Sequence, residues 1–95
     1  MENHDELINR GIKYAKKNYR PKIGMIVAHK NHPITGVLND IKDGIGEVLV
    51  PAVDGEPEHS YFEPYEEIFN PSVVLNAARC YKAGLDPDHT EMVSL

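Results

Sequence analysis

The chain contains no tryptophan, one cysteine and no long apolar run. Cys80 alone excludes an internal disulfide and a thiolate zinc cluster, and this sparing use of cysteine fits a reducing compartment. No stretch is long and apolar enough to predict a membrane span. Met1-Glu2-Asn3-His4-Asp5-Glu6 is too polar for a signal peptide, so the expected location is cytoplasmic. A phosphate-cradling loop is also missing: Gly44-Ile45-Gly46 lacks a third glycine and a following helix. Ser60, Ser72 and Ser94 have no nucleophile-elbow context. With none of these marks in place, the expectation is a protein without catalytic residues or cofactor.

What is present suits one folded domain. Ninety-five residues can enclose one modest core. With 41% hydrophobic against 26% charged residues, burial outweighs the tendency to disorder. The net charge of −5 conceals a division along the chain. Residues 1–30 hold seven basic and three acidic side chains, whereas residues 31–70 hold one basic (Lys42) and nine acidic. A polyanion would prefer the first part and be repelled by the second.

Periodicity and turn residues predict the elements. Asp5 is expected to cap a helix to about Tyr19, with Ile8, Ile12, Ala15 and Tyr19 on one face and Lys13, Lys16, Lys17 and Arg20 opposite. Gly11 weakens that helix by about 1 kcal/mol relative to alanine, and Pro21 ends it. Four β segments follow: Ile23 to His29, Ile34 to Ile41, Ile45 to Val53 and His59 to Phe62. Asn31-His32-Pro33 separates the first two, Asp43-Gly44 makes a tight hairpin, and Pro51 and Pro64 mark ends. Tyr65 to Phe69 reads as a turn or a closing strand. Asn70-Pro71 starts a second helix along Val74, Ala77, Ala78 and Tyr81, which Gly84 stops. The expected fold is thus mainly β with flanking helices. It is a small SH3-like antiparallel barrel or bent sheet of four to five strands. Residues 1–95 form a single domain: basic helix 1–20, β core 23–69, C-terminal helix 70–84 and flexible tail 85–95.

Candidate sites are few. His29, His32 and His59 suggest a metal-dependent enzyme, with Glu58 or Glu63 as oxygen ligands. Solvated or backbone-bonded loop histidines are the stronger reading, and no metal is expected. Glu56, Glu58, Glu63, Glu66 and Glu67 read as a solvated acidic patch rather than a general acid/base pair, which needs one desolvated member. Cys80, mid-helix, reads as a buried thiol before a reactive one. The basic stripe Lys13, Lys16, Lys17 and Arg20 is suited to duplex phosphates or an acidic partner, or else is a solubilising face or lies over the acidic sheet. Tyr61, Phe62 and Tyr65 offer a partner surface, although strand alternation buries about half of the local aromatics.

The central stretch carries Gly24-Met25-Ile26-Val27-Ala28-His29-Lys30, Thr35-Gly36-Val37-Leu38-Asn39-Asp40-Ile41, Glu47-Val48-Leu49-Val50, Gly55-Glu56-Pro57-Glu58-His59-Ser60-Tyr61-Phe62 and Glu67-Ile68. In these pieces and their order it resembles the HspQ/YccV-like family of small barrels, associated with hemimethylated DNA binding and protease regulation. It implies a non-catalytic binding module, with structural duties for Gly24, His29, Gly36, Asp40, His59 and Tyr61. The expected function is a protein-interaction adaptor or regulator. The alternative is duplex DNA binding through the basic helix. Self-association through an edge strand stays open.

Overall fold

A computed structural model describes residues 3–88, and the expected tail beyond Asp88 lies outside them. The first helix, α1 (His4–Asn18), is capped by Asn3 rather than Asp5: the Asn3 side-chain oxygen accepts the Glu6 backbone N–H at 2.9 Å. That shift leaves Asp5 and Glu6 in the first turn, where their charge suits the helix dipole. The buried face is Leu7, Gly11, Tyr14 and Ala15, with Ile8 and Ile12 half-buried beside it. Tyr19 leaves the expected face because it is the C-cap, with extended backbone angles that carry its ring away.

The second helix, α2 (Pro71–Lys82), starts as its sequence predicts. Asn70 accepts the Ser72 N–H and Pro71 occupies the first turn. At its end Gly84 adopts φ +75°, and the Gly84 and Leu85 N–H groups donate to Tyr81 and Cys80. This pairing satisfies carbonyls the helix would otherwise leave open. Of the expected tail, residues 85–88 are described, and Pro87 among them is buried.

Between the helices in chain order comes an antiparallel sheet, arranged β1 (Ile26–His29), β2 (His32–Lys42), β3 (Ile45–Val50) and β4 (His59–Pro64). Asp43 at φ 51° and Gly44 at φ 76° make the predicted tight turn between β2 and β3. β1 begins three residues later than its apolar run suggests, since Gly24 at φ 95° bends the chain first. β2 begins earlier, at His32: the chain reverses over Lys30 and Asn31 alone, so Asn31-His32-Pro33 does not separate the strands. Pro51 ends β3, and Pro64 closes β4 before a single 3₁₀ turn, Tyr65–Glu67.

Phe69 then pairs with Ala28, each donating its N–H to the other's carbonyl at 3.1 and 2.9 Å. This bridge draws the chain after β4 back to β1. One side of the sheet holds Val27, Leu38, Val48, Val50, Tyr61 and Ile68 in a buried cluster. A second cluster, Ala15, Ala28, Phe69 and Val74, fastens the helix pair to the sheet at that bridge. The architecture is therefore a bent four-stranded antiparallel sheet flanked by an N-terminal and a C-terminal helix, as the sequence predicts.

Candidate functional site

Antiparallel pairing sets His29 directly opposite His32 across the two-residue turn. Directly opposite residues share one face of the sheet, so the hairpin achieves what their spacing in the sequence does not suggest. The two rings meet edge to face with centroids 5.4 Å apart. β4 brings a carboxylate between them. Glu63 Oε2 lies 3.1 Å from His29 Nε2, and Glu63 Oε1 lies 3.2 Å from His32 Nε2.

The cluster is held from several sides. His29 is 6% exposed, whereas His32 and Glu63 are half-buried. The Asn31 backbone N–H donates to His29 Nδ1 at 3.0 Å. In the neutral ring the proton therefore sits on Nε2, which donates to Glu63. Tyr61 lies flat on His32, with centroids 3.8 Å apart and planes 5° from parallel. Its hydroxyl is buried and finds no hydrogen-bond partner among the described residues. Burial, and then the charge of Glu63, raise the Tyr61 phenol above its ordinary pKa. A neutral phenol, two imidazoles and one carboxylate thus meet in one cluster.

Of the expected histidine trio, His29 and His32 come together and His59 does not, since its Nδ1 lies 3.3 Å from the Pro57 carbonyl on an exposed segment. Glu63 takes the third place: register sets it opposite Gly46, beside the second hairpin, and the return of the chain to β1 through the Ala28–Phe69 bridge brings that end of β4 to the histidines. The other expected carboxylates, Glu56, Glu58, Glu66 and Glu67, are exposed. The stacking of Tyr61 on His32 had no signal in the sequence, because it joins strands that are not neighbours.

The basic stripe divides. Lys16 pairs with Glu67 at 2.7 Å. Arg20 donates to the carbonyls of Lys16 and Tyr65 and covers the Tyr65 ring at 4.4 Å. Lys13 and Lys17 remain exposed and border a cavity that also includes Tyr14, Tyr81 and Asp88. The aromatic trio divides as well. Tyr61 is buried, and Tyr65 is half-buried with its hydroxyl donating to the Pro21 carbonyl at 2.5 Å. Phe62 is 61% exposed.

Phe62 belongs to the outer side of the sheet, which neither helix covers. Register places Ile26, Val37, Leu49 and Ser60 in one cross-strand row, and Asp40, Glu47 and Phe62 in the next. Ile26 is 60% exposed, and Val37 and Ile45 are exposed as well. A depression of about 280 Å³ lies here, lined by Asp40, Lys42, Asp43, Ile45, Glu47 and Phe62.

No protein-family model, curated protein or solved structure matches the chain. Among the described residues no helix is long and apolar enough to cross a membrane.

Proposed function

We propose that the chain is a non-catalytic protein-binding module, an adaptor or regulator, whose docking face is the outer side of the sheet around Phe62. The observation that carries this reading is the row of exposed apolar side chains Ile26 and Val37 beside Phe62, rimmed by Asp40, Asp43 and Glu47. Exposed apolar surface of this kind beside a polar rim is characteristic of interaction sites. The acidic rim favours a partner that alternates apolar and basic residues, with a lysine or arginine stem lying along Phe62 and Ile45 and its charge reaching Asp40 or Glu47. A second copy is disfavoured on this face, because a symmetric contact sets like charge on like in a segment with nine acidic residues and one basic. The resemblance to HspQ/YccV-like barrels points the same way. The intramolecular contacts of Lys16 and Arg20 weigh against the duplex-DNA alternative.

The test is selection of displayed random peptides on the immobilised full chain. Selected sequences are expected to alternate apolar and basic residues and to lose binding to a Phe62→Ser, Ile26→Thr variant. Acidic selected peptides, or binding indifferent to both changes, would remove the reading. Salt-sensitive duplex DNA binding that disappears in a Lys13→Gln, Lys17→Gln variant would replace it with the nucleic-acid alternative.

A further inference from the structure

We propose that His29, His32 and Glu63 form a binding site for a divalent transition metal of the zinc class. This inference is independent of the docking face, which lies on the other side of the sheet. Two imidazoles and a carboxylate match the nitrogen and oxygen donors such ions take, and three protein ligands leave a position open to water. Their donor atoms all lie within 4.8 Å of one another. The two nitrogen–oxygen separations are 3.1 and 3.2 Å. An ion bound at about 2.0–2.2 Å to each ligand holds those atoms at similar mutual distances, so the three side chains need only small rotations, with one backbone adjustment at Asn31.

The frame is rigid where a metal site needs rigidity. Both histidines sit on paired strands across a two-residue turn, Glu63 sits on β4, and the flat contact with Tyr61 fixes the His32 ring. A second, independent observation is the buried Tyr61 hydroxyl, which has no partner among the described residues. A buried hydroxyl left unpaired is costly, and a water on the ion supplies the kind of partner it lacks.

One hydrogen bond makes the proposal specific. The Asn31 N–H donates to His29 Nδ1, which keeps the ring proton on Nε2. A metal takes the Nε2 lone pair, so this proton leaves that nitrogen and Nδ1 becomes the protonated one. Two N–H groups cannot face each other, so the Asn31 amide must turn away. Metal uptake is therefore coupled to the Lys30–Asn31 turn.

The experiment uses the full chain, stripped with a chelator and titrated with Co²⁺ as a spectroscopic probe, then with Zn²⁺ in competition. One equivalent is expected to bind, to be displaced by Zn²⁺, and to move the Asn31 amide resonance. His32→Ala and Glu63→Gln, each checked by circular dichroism for a retained fold, are expected to weaken binding about tenfold or more, at least the loss caused by removing a ligand's supporting partner. His59→Ala is expected to leave it unchanged. Failure of the folded wild-type chain to take up one equivalent, uptake unaltered in both ligand variants, or loss in the His59 variant would each overturn the assignment.

Discussion

Gly11 of α1 faces the backbone of α2 so closely that a Cβ at this position would lie 2.5 Å from the Val74 carbonyl oxygen. The obstacle is backbone, which has no rotamer through which to escape. Helix propensity alone favours Gly11→Ala by about 1 kcal/mol. The contact reverses that sign, since overpacking of this kind costs about 1–3 kcal/mol. Chemical denaturation is expected to show the alanine variant less stable than wild type. A stabilised variant would mean that the helices are not in this contact.

Arg20 and Lys16 both reach the 3₁₀ turn, but by different physics. Arg20 is half-buried, covers Tyr65 and donates to two carbonyls, so Arg20→Ala is expected to cost about 1 kcal/mol or more, with Arg20→Lys failing to restore it. Lys16, through its hydrogen bond and charge, lowers the Glu67 carboxyl below its ordinary value of 4.5. A depressed carboxylate contributes stability above its unfolded pKa and loses it as pH falls through the folded one. Lys16→Gln is therefore expected to flatten part of the acid limb of the stability profile, and high salt to weaken the same contribution.

The alkaline side has the opposite sign. Burial, then hydrogen bonding with Asp88, raise the Tyr14 phenol, and burial also raises Tyr61 and Tyr81. A raised phenol contributes fully below its unfolded value of 10.0, and stability falls as pH climbs from there towards the folded value. Ultraviolet titration is expected to find Tyr14, Tyr61 and Tyr81 ionising late, and Tyr14→Phe to flatten the alkaline loss.

Neighbouring sides of the sheet should respond differently to mutation. Leu38 is fully buried among Val27, Val48 and Ile68, so Leu38→Ala is expected to cost about 2–5 kcal/mol. Phe62 is 61% exposed, so Phe62→Ser is expected to change stability by no more than about 0.5 kcal/mol. A large loss in thermal unfolding for the second variant would mean that Phe62 is packed in the free chain.

Local signals located most of the elements. Asp43-Gly44 and Asn70-Pro71 are legible because their backbone demands are met within a few residues of chain. The sequence points to Asp5 as the cap where Asn3 supplies it, since either residue can provide the oxygen and only the folded turn selects one. The histidine–glutamate cluster was half legible. His29 and His32 stood out as a pair, but their apposition needed a turn shorter than Asn31-His32-Pro33 suggests, and Glu63 was one acidic residue among several.

The order of apolar runs, turn residues and caps determined four strands between two helices, because each is set by torsion preferences and burial over a few neighbouring residues. Only the tertiary structure decided which cations were consumed, which aromatic stayed outside, and which carboxylate met the histidines. Those outcomes depend on strand register and on the bridge between Ala28 and Phe69, which join residues far apart in the chain, where no local preference reaches.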